Sequence, residues 1–246
     1  MQPAQQALVG QIRLLGRGGA RAFGSAAAAS ASITLPNGKS LELADGDIKL
    51  TMPAEWAPHV GTWMAWPKRY DVWRSGAGPA RAAFTEVIKA ISQFEPVTVI
   101  AAPELWSDAR AALPDHVRVI EMTHDDSWLR DSGPTVVLGE ISSCPRPPIR
   151  TAVGVDWKFN GWGDLYGSYE LDKKVAQKLC AAEKLPYVTV DMVLEGGSIH
   201  VDGEGTMLTT EECLLNPNRN PSMTKDEIEA ELKRYTGVSK VIWLPK

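Results

Sequence analysis

The sequence has few cysteines and no long apolar run. Its 246 residues include three cysteines, Cys144, Cys180 and Cys213. Their wide spacing contains neither a CxxC pair nor the framework of a disulfide-rich domain, so we expect a reducing compartment. No apolar stretch approaches the length of a membrane-spanning helix. The sequence therefore predicts no membrane partner.

A basic surface is also missing. The chain has 30 acidic residues against 26 lysines and arginines, a net charge of -4. Proteins that bind nucleic acid neutralise phosphates with a basic face, so we expect no nucleic-acid partner. The balance suits a cationic small molecule, although mildly acidic proteins are common. With 44% hydrophobic residues, the chain is long enough to bury a sizeable core.

Acidic residues are absent from the first thirty-two positions. This segment carries Arg13, Arg17 and Arg21 and ends in a run of alanine and serine. Such a composition is typical of a transit peptide for the chloroplast or the mitochondrion. A disordered extension or a misassigned start codon is the alternative, and a cytoplasmic location would follow from it. We therefore divide the chain into an extension over 1–32 and a domain over 33–246.

Short strands and helices alternate in the domain. Apolar spacing predicts amphipathic helices over 79–94 and 171–182. A capping box at Thr224 begins a third helix, which Gly237 ends. Strands are expected at Val97–Ala101, 117–120, 135–138, 187–190, 198–201, 206–209 and 238–244. The pattern predicts a mixed α/β fold.

Three aspartates and an indole lie together within residues 125–134, just after an expected strand. A carboxylate matches the paired N–H groups of a planar guanidinium, whose face can stack on an aromatic ring. Asp131 and Trp128 are therefore candidates to bind a flat organic cation. The alternative is that Arg130 pairs with a neighbouring acid and that Trp128 packs in the core.

A second candidate segment is LEGGSIHVD at 194–202. Its adjacent glycines permit close backbone approach and would leave Glu195 free to point into a cavity. The pattern matches neither a GxSxG nucleophile elbow nor a GxGxxG loop. Glu195, His200 and Asp202 would divide between the two faces of a strand, so we expect no metal there.

Other residues favour structural interpretations. Cys213 lacks a basic neighbour or helix N-terminus that would favour a thiolate, and we interpret it as a buried apolar residue. The segment NPNRNP at 216–221 has the composition of a connecting loop. Most tryptophans should lie in the core, with one or two lining a ligand site. This set contains Trp56, Trp63, Trp66 and Trp73.

Seven ordered motifs resemble the amino-terminal portion of the agmatine deiminase family and cover nearly all of 52–246. They are MPAEWAPH, WMAWP, FEPVTV, DSWLRDSGP, FNGWG, LEGGSIHVDGEG and TEECLLNPNRNP. The resemblance implies the pentein fold, a closed propeller of αβ units around a central active site. It also implies hydrolysis of agmatine to N-carbamoylputrescine and ammonia in putrescine biosynthesis, without a cofactor. An arginine-directed deiminase of the same superfamily is the neighbouring alternative.

The resemblance also implies roles for individual residues. Asp131 and Glu195 would be the acids that hold the guanidinium during catalysis, while Trp128 and Asp126 would contact the substrate. A cysteine thiolate would attack the guanidinium carbon to form a covalent amidino-enzyme. A histidine would protonate the leaving ammonia and then activate water.

The cysteine and histidine of the family lie in GGNIHC and GH(I/V)DN segments, and neither Cys213 nor His200 matches them. We therefore expect this sequence to be an incomplete gene model or a carboxyl-truncated isoform, with an incomplete propeller that is inactive alone. The alternative function is a fragment that binds a guanidinium ligand or full-length subunits, and a product that never folds is a third possibility. Homo-oligomerisation stays open.

Overall fold

The computed structural model describes residues 31–43, 48–141 and 149–245. Cys144 and almost all of the expected extension over 1–32 lie outside these ranges. The first strand, β1, is Ala31–Thr34, so the expected boundary at residue 32 falls inside a strand. In the described ranges, no helix combines the length and apolarity that a membrane crossing requires.

The described residues form twelve strands in three sheets, with four helices of seven residues or more. After β1, the strands are β2 (Ser40–Leu43), β3 (Ile48–Thr51), β4 (Thr62–Ala65), β5 (Val97–Ala101), β6 (Arg118–Glu121), β7 (Thr135–Ile141), β8 (Ile149–Lys158), β9 (Tyr187–Val193), β10 (Ile199–Val201), β11 (Thr206–Thr210) and β12 (Lys240–Leu244). The helices are α1 (Gly78–Ile91), α2 (Trp106–Ala112), α3 (Val175–Glu183) and α4 (Lys225–Thr236). Short helical turns occur at Leu129–Ser132, Gly161–Asp164 and Glu211–Leu214.

A parallel sheet with the order β4-β5-β6 is covered on both faces. On one face, Val99 packs with Ile88 of α1 and Ala109 of α2. On the other face, Ile100 packs with Val175 and Leu179 of α3. Every residue of β5 is buried, as expected for the central strand of a parallel sheet.

A second sheet has six strands in the order β2-β1-β9-β8-β7-β3, in which β8 and β9 run parallel. Its largest core cluster includes Trp157 of β8 and extends to Ile228 and Leu232 of α4. The same cluster contains Val201 and Met207 from the third sheet, β10-β11-β12. One apolar core therefore joins these two sheets through α4.

The ends of α4 confirm the predicted capping signals. The Thr224 hydroxyl accepts the Glu227 N–H, and the Glu227 carboxylate accepts the Thr224 N–H. The helix ends at Gly237, whose φ of 73° suits glycine. A Cβ there would also meet the Leu50 carbonyl oxygen at 1.9 Å, so a larger residue is excluded by β3.

The expected strands are present within a few residues of their predicted bounds, and the helix expected at 171–182 divides into a 3₁₀ turn (Asp172–Lys174) and α3. The ten-residue strand β8 was not predicted. Gly154 interrupts its apolar pattern, and glycine is depleted in strands. The structure explains this glycine, because a Cβ would lie 2.3 Å from the Cys180 Sγ.

Three loops follow the carboxyl ends of β6, β8 and β9. They cover 122–134, 159–164 and 194–198. All three strands belong to parallel pairs, and functional residues are often carried by such loops on a rigid scaffold. Both candidate segments from the sequence lie in this set.

Candidate active site

Asp126 follows β6 and is 3% exposed. Its Oδ1 accepts hydrogen bonds from Trp73 Nε1 at 3.1 Å and from the Ser127 N–H at 2.8 Å. Its Oδ2 accepts one from Trp128 Nε1 at 3.1 Å. Both carboxylate oxygens are therefore bonded to fixed donors, and the carboxylate orients two indoles.

These indoles belong to an aromatic cluster formed by Trp73, Trp128, Trp162 and Phe159. Trp73 and Trp128 are stacked with ring centroids 5.4 Å apart and an interplanar angle of 21°. Trp162 meets Trp128 edge-on at 6.5 Å and Phe159 at 5.1 Å. Trp128 remains 43% exposed, so the alternative that it packs in the core is wrong. An exposed indole next to carboxylates is suited to a cation.

Asp131 lies in the helical turn Leu129–Ser132. Its Oδ1 accepts the Gly197 N–H at 3.0 Å, and its Oδ2 accepts Trp162 Nε1 at 3.3 Å. Burial raises the pKa of the Asp131 carboxyl, and these two donors offset part of that effect. A cation beside Asp131 would favour its ionised form.

The two glycines after Glu195 bring the second candidate segment against this turn. A Cβ on Gly196 would lie 2.1 Å from the Arg130 carbonyl oxygen, and one on Gly197 would lie 2.7 Å from Asp131 Oδ1. The predicted close backbone approach is confirmed. Only residues without side chains allow this contact, which places the loops of Asp131 and Glu195 side by side.

Glu195 is 3% exposed, and its side chain is held by a partner within the protein. Its Oε1 accepts a hydrogen bond from Arg219 Nε at 2.5 Å. Arg219 comes from the NPNRNP segment, which is therefore more than a connecting loop. The neighbouring Asn220 also bonds both the N–H and the carbonyl of Val193 at 2.9 Å, which fixes the end of β9.

Arg130 forms a bidentate ion pair with Glu55. Nη1–Oε1 and Nη2–Oε2 both measure 2.8 Å, and hydrogen bonding to Arg130 lowers the pKa of Glu55. Arg130 thus pairs with an acid, but not with a neighbour in the sequence as that alternative expected, because Glu55 lies 75 residues away. Both side chains are more than 40% exposed, so the pair contributes little to stability.

A further pair of acids holds the loop that carries Asp126. Asp172 accepts the Asp125 N–H at 2.7 Å and the Asp126 N–H at 3.1 Å. In return, Asp125 accepts the Leu171 N–H at 2.7 Å. Burial raises the pKa of Asp172 to about 7. Sequence reasoning missed Asp172, since no local pattern links it to a loop 47 residues away.

Comparison with known proteins identifies the family. The model of the Porphyromonas-type peptidyl-arginine deiminases matches residues 51–246. The chain belongs to this family. It is 54% identical over 199 residues to an agmatine deiminase of Medicago truncatula, covering 79% of this chain and 53% of that protein. It is also 54% identical over 200 residues to one of Stutzerimonas stutzeri, covering 79% and 52%.

Solved structures agree with these matches. The agmatine deiminase of Enterococcus faecalis superimposes with a TM-score of 0.75 at 44% identity, covering 80% of this chain and 53% of that one. A substrate-bound agmatine deiminase of C. jejuni, with the substitution C315S, gives 0.71 at 29% identity, covering 82% and 58%. The chain thus spans about half the length of these relatives. The predicted family resemblance and the α/β fold of pentein type are confirmed.

Two of the three cysteines, Cys180 and Cys213, lie in the described ranges, and both are free thiols. Cys180 is buried in α3, and burial raises its pKa to about 12, which makes the thiol unreactive. Cys213 was expected to be buried but is partly exposed. Within the described ranges, neither thiol is a hydrogen-bond partner of Asp131 or Glu195.

His200 and Asp202 make contacts that do not involve Glu195. His200 is exposed on β10, with its ring 6.5 Å from that of Trp56. Asp202 accepts the Glu204 and Thr206 N–H groups at 2.8 and 2.9 Å and so closes a turn. Among the residues that the structure describes, no three His, Cys, Asp or Glu side chains converge as metal ligands.

Proposed function

We propose that Asp131, Glu195 and Trp128 form the guanidinium-binding part of an agmatine deiminase. The observation that carries the proposal is the contact between the two acid loops, where Asp131 accepts the Gly197 N–H beside the exposed Trp128 ring. The similarity to agmatine deiminases along most of the chain supports the choice of substrate. Asp126 contributes by orienting Trp128 through its indole N–H.

The chemistry of these groups fits the guanidinium of agmatine. This group is a planar monocation whose N–H pairs match carboxylate oxygens and whose face can lie on an indole. Two acids would orient its central carbon and oppose loss of its proton. Binding near Asp131 would favour the ionised carboxylate, since a nearby cation opposes the effect of burial on its pKa.

In the proposed reaction, a thiolate adds to the guanidinium carbon and one nitrogen leaves as ammonia. Water then attacks the same carbon, and the carbon–sulfur bond breaks, which regenerates the thiol. The oxygen of the water becomes the carbonyl oxygen of N-carbamoylputrescine. The cysteine and histidine of this mechanism match no motif in residues 51–246. Our proposal therefore assigns binding and orientation to the described residues, as part of a step in putrescine biosynthesis.

Calorimetric titration with agmatine tests this assignment, with putrescine as a matched ligand that has an amino group in place of the guanidinium. We expect agmatine to bind at least about tenfold more tightly than putrescine. Asp131→Asn should weaken agmatine binding by about 30-fold to 100-fold, because it removes a charged acceptor from the guanidinium. Equal affinity for both ligands, or no binding of agmatine, would refute the proposal.

A second candidate function is a binding module without turnover. The observation that favours it is chemical: the acids have no thiol among their described hydrogen-bond partners, and the pKa of Cys180 is raised to about 12. Assay of ammonia in the titrated samples separates the two functions. If the chain releases ammonia from agmatine and Asp131→Asn abolishes this release, the result supports an enzyme. If the chain binds agmatine without releasing ammonia, the result supports a binding module.

A further inference from the structure

Arg219 and Glu195 form the most buried ion pair of the described residues. Their side chains are 10% and 4% exposed, and every other described pair has at least one side chain that is 20% exposed or more. A buried carboxylate without a counter-charge is strongly destabilised, so Arg219 compensates the charge of Glu195. The proposed function gives this arginine no role.

The geometry of the pair leaves half of the carboxylate available. Arg219 donates through Nε to Oε1, and no donor of the described residues bonds Oε2. The pair of Arg130 and Glu55 provides the contrast, because there both carboxylate oxygens are bonded by the guanidinium. Arg219 therefore fixes Glu195 through one oxygen only, and the second can accept hydrogen bonds from a ligand.

Arg219 is itself held from two directions. Its Nη1 donates to Asn218 Oδ1 at 2.8 Å, and the Asn218 carbonyl accepts a hydrogen bond from Asn160 Nδ2 at 2.9 Å. Gly163 presses against the same side chain, since a Cβ there would lie 2.5 Å from Arg219 Nη1. The φ of 84° at Gly163 also favours glycine at this position.

The loop that braces Arg219 also reaches the other acid. Trp162, between Gly161 and Gly163, donates its indole N–H to Asp131 Oδ2. One loop after β8 therefore contacts Asp131 directly and Glu195 through Arg219. The charges of these groups also suit the ligand. With both acids ionised, Asp131, Glu195 and Arg219 together carry a net charge of about −1, and a guanidinium monocation would balance it.

We propose that Arg219 is a positioning residue that orients Glu195, holding Oε1 so that Oε2 faces the guanidinium of the ligand. The inference rests on the proposed function and deepens it. It explains why an arginine lies against an acid expected to bind an arginine-like group. The arginine shares the carboxylate with the ligand and does not compete for it.

Agmatine titration of the full chain tests this role with Arg219→Met and Arg219→Lys. Arg219→Met should weaken agmatine binding by about tenfold or more, since an uncompensated Glu195 loses its orientation. Arg219→Lys, which keeps the charge, should recover part of that loss. In a Glu195→Gln background, Arg219→Met should change the dissociation constant by less than about twofold, because the coupled partner is already altered.

Arg81→Met is the matched control, because Arg81 also bonds a carboxylate, that of Asp108, at 3.1 Å beside the parallel sheet. It should leave the dissociation constant within about twofold of the wild-type value. Thermal unfolding identifies the folded variants. If Arg219→Met does not fold, Arg219→Lys takes its place. The loss of agmatine affinity that it causes is then compared between the wild-type chain and the Glu195→Gln background, which shows whether Arg219 acts through Glu195.

The outcomes separate the inference from the function on which it rests. Unchanged or tighter agmatine binding by a folded Arg219→Met chain would overturn the positioning role and leave the proposed function standing. Equal losses from Arg219→Met with and without Glu195 would also overturn it. Failure of the wild-type chain to bind agmatine would remove both proposals together.

Discussion

Asp126 and Asp131 lie in one loop, yet their surroundings differ. Asp126 accepts four hydrogen bonds of 2.8 to 3.4 Å, two of them from indoles, and is 3% exposed. Asp131 accepts two, at 3.0 and 3.3 Å, and burial raises its pKa. The first carboxylate therefore accepts twice as many hydrogen bonds from the protein as the second, although each oxygen of both carboxylates has a protein donor.

The difference indicates a division of labour within this loop. A carboxylate that accepts two indole N–H groups and two donors of Ser127 is suited to orienting the rings of Trp73 and Trp128. A carboxylate that burial penalises gains when a cation arrives, so Asp131 is better suited to hold a ligand. Substitutions at the two aspartates should therefore separate stability from binding.

Asp126→Ala should produce the largest loss of stability. The substitution leaves the indole N–H groups of Trp73 and Trp128 and the N–H of Ser127 without their acceptor. A buried donor left without an acceptor costs about 1 to 3 kcal/mol. The cost at Trp128 should lie at the lower end, because this residue is partly exposed. We expect the free energy of unfolding, measured by urea titration, to fall by about 3 to 4 kcal/mol.

Asp191→Ala is the control for that measurement. Asp191 pairs with Lys158 at 2.9 Å, but its side chain is 90% exposed. Such a pair contributes about 0 to 1 kcal/mol, so this variant should remain close to the wild type. If Asp126→Ala unfolds at the same urea concentration as Asp191→Ala, Asp126 does not organise the aromatic cluster.

Asp172→Asn should have the next largest effect, through pH. Burial raises the pKa of Asp172 to about 7, so the folded chain holds this proton more tightly than the unfolded chain does. The free energy of unfolding therefore decreases as pH rises from about 4 to about 7 and stays low above that range. Between about pH 5 and pH 7, this carboxyl should account for a loss on the order of 2 kcal/mol.

Asn at position 172 keeps an acceptor oxygen for the Asp125 and Asp126 N–H groups but cannot ionise. The variant should therefore lose less stability than the wild type over the same pH range. A residual slope is expected from Asp131 and Asp156, whose pKa values are also raised by burial. Identical pH profiles for the variant and the wild type would contradict this account.

The elements that sequence reasoning identified carry their signals locally. The Thr224 capping box, the Gly237 helix end and the apolar strand at Val97–Ala101 depend on neighbouring residues, and all three are confirmed. The candidate acids Asp131 and Glu195 came from residue chemistry and from the ordered motifs. Their role in binding stays a prediction.

The partners of those acids could not be predicted in the same way. Arg219 lies 24 residues from Glu195, and Trp162 lies 31 residues from Asp131. Periodicity and turn signals act over a few residues, so they do not indicate which acid a distant donor will bind. The FNGWG and NPNRNP motifs contain both donors, but it is folding that joins the motifs, through Gly163 packed against Arg219 and through the hydrogen bond from Asn160 to the Asn218 carbonyl.

The smallest effects are expected from replacing two indoles, that of Trp73, which bonds Asp126, and that of Trp162, which bonds Asp131. Trp73→Phe removes a donor 3.1 Å from Asp126, and Trp162→Phe removes one 3.3 Å from Asp131. Both retain an aromatic ring, so each should cost about 1 kcal/mol or less in stability, with the larger cost at Trp73. Agmatine titration should show the reverse order, with Trp162→Phe weakening binding by about twofold to fivefold because Asp131 loses a donor that orients it. If Trp73→Phe weakened binding more than Trp162→Phe did, the ligand would depend on the aromatic cluster more than on Asp131, and the division between the two aspartates would fail.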